Sequence, residues 1–131
     1  MKKILVMLML FPVIGIHAQR EYLPTPEDLE TFRNTKTYVV LQDNPISEYN
    51  FEITDAVKNY WDITEYEFIE FEEFQERSTD PGASFLYTAT VSFEKDKSQT
   101  RYIFLCLSLG GDYPSLDEMK DVVNIPLSYY G

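Results

Sequence analysis

The stretch that most constrains the fold is "SFLYTATVSFEKDKSQTRYIFLCLSL", residues 84–109. Over residues 84–94, large apolar residues alternate with mostly small polar ones, which is typical of a strand with one solvated face. Residues 100–109 are largely apolar at successive positions and predict a central strand that is covered on both faces. Between them, "KDKSQ" is a polar loop of hairpin length. The stretch therefore predicts a pair of antiparallel strands.

A second strand pattern lies upstream, in "KTYVVL", residues 36–41. β-Branched and aromatic residues predominate there, and "QDNP" supplies turn residues after it. The preceding "TPEDLETFRN" predicts a short helix, because Thr25 can cap it and Pro26 suits its first position. We expect Leu29 and Phe32, three residues apart, to share the buried face of this helix.

Two further segments have helical periodicity. Ser47 begins a helix that runs to about residue 60. Its apolar face consists of Tyr49, Ile53, Ala56, Val57 and Tyr60. Ser115 begins a third helix, because it forms a capping box with Glu118. The apolar face there consists of Leu116, Met119, Val122 and Val123. Pro126 ends this predicted helix, and "IPLSYY" then predicts a final strand.

The Glu-rich stretch "TEYEFIEFEEFQER", residues 64–77, fits no single period. We predict a strand over residues 65–70 and a short helix over residues 71–77. In that helix Phe71 and Phe74 face inward. The glutamates that face water are Glu72, Glu73 and Glu76. We interpret the stretch as one face of a core with a solvated acidic edge, and a dedicated interaction patch is the alternative.

After the first short helix, the elements follow the order β-α-β-α-β-β-α with a final strand. The predicted fold class is α/β (α+β), with a single mixed sheet of four or five strands and helices packed on it. A right-handed crossover makes the first two strands parallel. Ligands in such sheets bind beyond the carboxyl ends of parallel strands. Gln42 lies at this edge, with Asp43, Asn44, Ser47 and Glu70 as candidate ligand-binding residues. A simple turn is the alternative for the Asp-Asn-Pro segment.

The beginning of the chain has the pattern of a secretory signal peptide. Two lysines precede an apolar run over residues 4–16, and Ala18 offers a small residue for cleavage. The run is short for a membrane span, and a buried N-terminal helix is the alternative. We therefore predict a signal peptide, residues 1–18, and one domain, residues 19–131, and leave open whether the natural protein continues further. Export leads to the periplasm, the cell envelope or the medium. No cysteine lies directly after the cleavage site, so we expect no lipoprotein, and we expect no transmembrane segment after cleavage.

Acidity limits the partners of the chain. Its formal charge is −11 at pH 7, and removal of residues 1–18 with their two lysines makes the charge −13. Nucleic acids and anionic membrane surfaces need clustered Lys and Arg, which argues against both. The expected partner is an unidentified protein, through hetero-association or self-association, or a cation.

The residue inventory argues against most catalytic chemistry. The only histidine is His17, inside the predicted signal peptide, so the mature chain has no histidine base and no histidine metal ligand. Phosphate-binding and dinucleotide-binding glycine motifs are missing, and the Gly110-Gly111 pair predicts a tight turn. We expect no enzyme activity and no cofactor, with a carboxylate pair as the remaining catalytic alternative. Cys106, the only cysteine, is expected to be a small buried residue rather than a reactive thiol.

Calcium and sugars are the ligands that an acidic, aromatic chain suggests. Residues 62–73 have acids at the first and last positions of a twelve-residue calcium loop, but Glu67 lies where that loop needs glycine. We therefore predict no metal site. Exposed aromatic residues can stack on sugars, and the candidates are Trp61, Tyr60, Tyr129 and Tyr130. Packing of Trp61 in the core, between helix and strand, is the favoured interpretation.

The string "KTYVVLQDNPISEYNFEITDAVKNYWDITEYEFIEFEEF", together with "NIPLSYYG", resembles a family of small secreted Bacteroidota proteins of unknown function. The resemblance covers most of the mature chain. Because that family has no assigned activity, the resemblance implies no functional residue. The order of a strand, a helix, "YEFIE", "FEEF" and a strand pair is more distantly similar to the amino-terminal domains of TolB-like and CsgG-like proteins. That similarity implies envelope assembly or partner binding.

The combined expectation is an exported, non-catalytic protein that binds a protein partner or takes part in envelope assembly, through an exposed strand edge. The alternative is a periplasmic protein that binds a small ligand, such as a glycan, or a divalent cation. Only the ligand alternative assigns residues, which are the four at the carboxyl edge of the predicted sheet.

Overall fold

Three helices and five strands form the part of the chain that the computed structural model describes, residues 23–95 and 97–130. In chain order they are α1 (Pro26–Arg33), β1 (Lys36–Val40), α2 (Glu48–Tyr60), β2 (Tyr66–Ile69), α3 (Phe71–Arg77), β3 (Ala83–Ser92), β4 (Arg101–Leu109), a 3-10 turn (Leu116–Glu118) and β5 (Lys120–Tyr130). The predicted signal peptide, residues 1–18, lies outside the described residues.

The five strands form a single mixed sheet in the order β2-β1-β3-β4-β5. β1 pairs in parallel with both β2 and β3, and β3, β4 and β5 pair antiparallel. The α+β fold class, the parallel first two strands and the antiparallel pair within residues 84–109 are therefore confirmed.

Helices cover both faces of the sheet at one end, and each face has its own core. We call the face under α1 and α2 the first face. Its buried residues are Phe32, Val39, Ile53, Val57, Leu86, Leu107 and Leu109. The second face lies under α3. Its buried residues are Tyr38, Val40, Ile69, Phe74, Ala83, Phe85 and Met119. Strand residues alternate between the two faces, so β1 and the first half of β3 are buried on both sides.

The Glu-rich stretch folds as predicted, with β2 followed by α3. Ile69 and Phe74 are 3% and 1% exposed, and the Phe74 ring contacts the rings of Phe85 and Tyr87. Phe71 is 43% exposed, so its predicted inward orientation is wrong. The stretch supplies core residues on one side and places Glu72 and Glu76 in solvent on the other.

The predicted helix that begins at Ser115 is wrong. Only a single 3-10 turn forms, the Ser115 side chain makes no capping bond, and β5 follows at once. β-Branched Val122, Val123 and Ile125 suit a strand, and β4 provides a partner along the length of β5. Pro126 is tolerated inside β5 because β5 is an edge strand. Backbone groups on the outer side of an edge strand pair with no neighbouring strand, so a missing N–H there breaks no hydrogen bond of the sheet. The predicted final strand is therefore the second half of a longer one.

Four predictions of burial also need correction. Leu29 and Tyr60 are 42% and 83% exposed, although periodicity placed both on buried helix faces. The predicted solvated face of β3 is buried at Ser84 and Leu86, because β3 is the middle strand and α1 and α2 cover this end. β4 lies next to the edge strand and is fully buried only from Cys106 to its end.

Asp28 is one of two buried residues in α1, and it joins this helix to β5. Its carboxylate accepts hydrogen bonds from the Thr25 backbone N–H at 2.8 Å and from Lys120 Nζ at 2.7 Å. Thr25 Oγ1 accepts in return from the Asp28 N–H, which completes a capping box. The Lys120 bond, and then the Thr25 bond, hold the pKa of Asp28 below its usual value of 3.8, against the opposing effect of burial. The carboxylate is therefore charged at neutral pH.

We expect Asp28→Asn to lower the free energy of unfolding by about 1 to 2 kcal/mol at pH 7, since it weakens a cap and a charged hydrogen bond. Because the folded-state pKa of Asp28 is lowered, its contribution is complete above the usual pKa of 3.8 and is lost as the pH falls through the lowered value. Urea denaturation at pH 7, 5, 4 and 3 measures this difference.

The matched control is Glu67→Gln, which removes the exposed Lys36–Glu67 ion pair at 2.6 Å. Solvent and salt screen an exposed ion pair, so this variant should lie close to the wild type. Equal losses in the two variants, or a loss in Asp28→Asn that does not shrink towards pH 3, would contradict the assigned role of Asp28.

Candidate functional site

The carboxyl ends of β1 and β2 form a crevice because the chain leaves the two strands in opposite directions. After β1 it passes to α2 on the first face, and after β2 it passes to α3 on the second face. Adjacent parallel strands with diverging connections leave an opening at their carboxyl ends, where ligands of open α/β sheets bind. Chain topology therefore produces the groove before any side chain is considered.

The groove is open and has a volume of about 720 Å³. Its lining consists of Leu41, Gln42, Asp43, Pro45, Asn50, Phe51, Thr54, Asp55, Lys58 and Glu70. Among the residues proposed from the sequence, Gln42, Asp43 and Glu70 line it. Asn44 and Ser47 are not among the lining residues.

Asn44 and Ser47 shape the loop that follows β1. The Ser47 hydroxyl is buried and donates to Gln42 Oε1 at 2.7 Å, so it orients a groove residue without reaching the groove. Asn44 Oδ1 accepts from the Ile46 backbone N–H at 3.2 Å, and the Asn44 carbonyl accepts from the Ser47 N–H at 3.0 Å. These bonds describe a turn, which is the simpler of the two interpretations for Asn44.

Asn50 is one of the groove residues that the sequence did not reveal. Its Nδ2 donates to the carbonyl oxygens of Gln42 and Asn44 at 2.9 and 3.1 Å, and its Oδ1 accepts from the Gln42 N–H at 2.8 Å. One side chain thus fastens the loop to the first turn of α2. The sequence did contain one signal for Asn50, its position next to Tyr49. Because Tyr49 faces the core, the neighbouring Asn50 side chain borders the end of β1.

The charge of the groove is mostly negative. Asp43, Asp55 and Glu70 line it, and Lys58 is the one cationic residue among the lining residues. Lys58 Nζ also lies 5.9 Å from the centroid of the Phe68 ring. Within the described part of the chain, no group of three or more acidic, cysteine or histidine side chains is arranged to hold a metal ion. The groove suits a neutral or positively charged organic ligand.

Buried titratable groups keep their protons at neutral pH. Burial raises the pKa of Cys106 to about 11 and the pKa values of Tyr49 and Tyr87 to about 12. Cys106 is 6% exposed, which confirms the prediction that it is buried. The buried Tyr49 hydroxyl has no hydrogen-bond partner within residues 23–95 and 97–130. None of these three groups is ionised for nucleophilic attack at neutral pH.

A second exposed feature is the edge strand β5. It has 11 residues, whereas β2 at the opposite edge has four. The exposed apolar residues along it are Val123 (45%), Ile125 (48%), Leu127 (48%) and Tyr129 (75%). Register shifts against β4 leave Val122 and Leu127 without a paired residue, as β-bulges do. Bulges, Lys120 and Pro126 are features that limit indiscriminate pairing at an edge.

An apolar cleft adjoins this edge on the first face. It measures about 270 Å³ and lies between α2 and β5, and its residues include Tyr60, Trp61, Leu105, Val123 and Ile125. Trp61 is half-buried, its Nε1 donates to the Thr64 hydroxyl at 3.0 Å, and its ring meets Phe32 edge to face. Trp61 therefore packs at the margin of the core, as predicted.

We expect Asn50→Ala to lower the free energy of unfolding by about 1 kcal/mol relative to Asn59→Ala. Both substitutions replace Asn by Ala in α2, so the gain in helix propensity cancels. Asn59 Nδ2 binds only Asp55 of its own helix, whereas Asn50 holds the loop after β1. Hydrogen exchange should also accelerate at residues 42–47 in Asn50→Ala alone. Equal stability and exchange in the two variants would contradict this role.

None of the helices within residues 23–95 and 97–130 is long and apolar enough to span a membrane. Comparison of the chain with protein-family models, with curated proteins and with solved structures gives no match in any of the three. The resemblance stated from the sequence therefore stays a prediction, and function rests on the groove and on the β5 edge.

Proposed function

We propose that the protein is an exported, non-catalytic module that binds an extended segment of a protein partner along β5. The observation that supports this most directly is the edge itself, an exposed strand of 11 residues with apolar side chains beside an apolar cleft. In strand addition, backbone hydrogen bonds provide affinity and side-chain pockets provide specificity.

The edge and the cleft fit the two requirements of strand addition. Alternate residues of an edge strand direct their N–H and C=O groups away from the sheet, and β5 offers them over roughly 35 Å, in short runs separated by its bulges at Val122 and Leu127. The cleft beside Val123 and Ile125 is lined almost entirely by apolar side chains and could hold one apolar residue of the added strand. The opposite edge is less suited, because β2 has four residues and Glu67 lies on it.

Charge favours a basic partner over a second copy of the chain. The formal charge of residues 19–131 is −13, so two copies repel each other and a segment with Lys or Arg is attracted. We propose a partner segment in which apolar residues alternate with basic ones. The apolar residues of the segment enter the cleft, and its basic residues are attracted by the net negative charge of the chain.

Export and the lack of catalysis are part of the same proposal. Residues 1–18 have the signal-peptide pattern, which supports a location in the periplasm, the cell envelope or the medium. Residues 19–131 have no histidine, and burial keeps Cys106, Tyr49 and Tyr87 protonated. A binding role needs none of these groups to be ionised.

A random 12-residue peptide library displayed on phage tests the proposal. Selected peptides should alternate apolar and basic residues and should slow hydrogen exchange of β5 backbone amides. Leu127→Lys should weaken binding by about tenfold or more, because it adds a charge in the middle of the edge. The matched control is Phe51→Lys, a change at a residue of α2 that is 67% exposed, and it should bind like the wild type.

Two results would contradict the proposal. One is a set of selected peptides that protects amides outside β5, or that binds Leu127→Lys and the wild type equally. The other is a dimer in light scattering whose β5 amides are already protected without peptide, which would make a second copy the occupant of the edge.

A small ligand in the groove at the carboxyl ends of β1 and β2 is the second candidate function. The observation in its favour is the position of Asp43, Asp55 and Glu70 at the crevice that the topology creates. Spermidine should then raise the melting temperature by several degrees, and Asp43→Asn with Glu70→Gln should abolish the rise. The same melting-temperature measurement with calcium ions tests whether the groove binds a metal ion. A rise that persists in the double variant, or no rise with either cation, would contradict this function.

A further inference from the structure

The sheet extends beyond α3 on the second face and leaves an open surface cavity of about 720 Å³. α3 and the 3-10 turn form its two walls, and the outer halves of β3, β4 and β5 form its floor. Its principal side chains are Phe71, Phe93, Phe104, Asp117, Asp121 and Asn124. It shares no lining residue with the groove at the carboxyl ends of β1 and β2.

A chain of hydrogen bonds holds the polar end of this cavity. The Ser108 hydroxyl donates to Asp121 Oδ1 at 2.7 Å, and because it has a single proton it must accept from the Tyr87 hydroxyl at 3.0 Å. Asn124 Nδ2 donates to the other carboxylate oxygen, Oδ2, at 3.0 Å. Ser108 is completely buried, so its hydroxyl group orients the Asp121 carboxylate from the floor of the cavity.

A β-bulge brings Asp121 and Asn124 together. Residues three apart in a regular strand lie on opposite faces. Ser108 pairs with Asp121 and Leu107 pairs with Val123, so the intervening Val122 is the extra residue. The bulge places both polar side chains on the second face, and their planar groups form one continuous polar edge.

This polar edge has unused hydrogen-bonding capacity. Asn124 has a second amide proton and an Oδ1 for which no partner occurs within the described residues. Each oxygen of Asp121 has a lone pair beyond the bond that it already accepts. Side by side, an acceptor and a donor can bind the two sides of one hydroxyl group, which donates its proton and accepts another.

Charge and aromatic surface define the rest of the ligand. The lining contains two carboxylates and no Lys or Arg, so phosphates and carboxylic acids are repelled. Phe71 and Phe93 line the cavity, are 43% and 52% exposed, and supply aromatic apolar surface. The cavity volume lies within the usual range for small-ligand sites, which combine aromatic walls with few polar groups. A flat C–H face with hydroxyl groups at its rim is the surface of a sugar ring.

We propose that this cavity binds a neutral saccharide, with a sugar ring packed on the phenylalanines and a hydroxyl group that donates to Asp121 and accepts from Asn124. An ammonium group fits less well, since it only donates, and the free Asn124 N–H would face it. The site lies on a face of the sheet and is independent of strand addition at the β5 edge.

Titration of the purified protein with cellohexaose, laminarihexaose, xylohexaose and mannohexaose at millimolar concentration tests this, followed by ¹⁵N NMR. At least one hexasaccharide should give saturable shifts at the Asn124 side-chain amide and at backbone amides of β3 and β4 around the cavity. Asn124→Ala and Phe93→Ala should each weaken binding about tenfold. Asn59→Ala and Ile63→Ala, at exposed positions outside both the cavity and the groove at the carboxyl ends of β1 and β2, should leave it unchanged.

Three results would overturn the assignment. The first is no saturable shift at the cavity with any hexasaccharide. The second is saccharide binding that Asn124→Ala and Phe93→Ala leave intact. The third is stronger binding of choline than of every saccharide at the same amides, which would identify a cation site. Because the substituted side chains are exposed, a thermal melt of each variant separates lost binding from lost folding.

Discussion

The pairing of β3 with β1 on one side and β4 on the other joins the parallel and antiparallel parts of the sheet. Ser84 lies at this junction with no exposed surface, and its hydroxyl is 2.8 Å from those of Thr35 and Thr37. Buried hydroxyl groups without partners would destabilise the sheet, so this cluster fixes the register in which β1 and β3 meet. The groove at the ends of β1 and β2, and the uncovered halves of β3 and β4, are set by that register.

A close approach beside Ser84, at the start of β3, has the same effect. The Gly110 N–H donates to the Ala83 carbonyl at 2.9 Å, where β4 ends against the start of β3. A Cβ atom at Gly110 would lie 2.1 Å from the Asp80 carbonyl oxygen, so no side chain fits there without movement of the backbone. The Gly-Gly pair that predicted a tight turn is thus a point where two backbone segments touch.

Local patterns predicted the elements whose partners lie next to them in the sequence. The antiparallel pair is confirmed because alternation and turn residues determined it. The Glu-rich stretch is confirmed because its apolar residues fit no single period and therefore predicted a strand followed by a helix. Residues 116–123 have the spacing of a helix and the composition of a strand, and the choice between them depended on the free side of β4. The predicted burial of Leu29 and Tyr60 is wrong for a related reason. Periodicity identifies the apolar face of a helix but not how much of that face the sheet covers.

The candidate sites divide in the same way. Gln42, Asp43 and Glu70 followed from the rule for parallel strand ends, whereas Asn50 required knowledge of where α2 lies over the loop. Asp121 and Asn124 could not be paired from the sequence, because their common face depends on one extra residue in a strand that the periodicity assigned to a helix. The positions of the candidate-site residues therefore depend on tertiary strand pairing to a greater extent than the order of helices and strands does.

The two bulges of β5, at Val122 and Leu127, affect the backbone as well as the side chains that they reorient. Each interrupts the even spacing of backbone donors and acceptors that a regular strand needs in its neighbour. A straight, repetitive strand can follow such an edge for only a few residues before it falls out of phase. The same chain that exposes apolar residues at its edge therefore resists stacking into fibrils, since identical copies cannot add in an endless regular ladder.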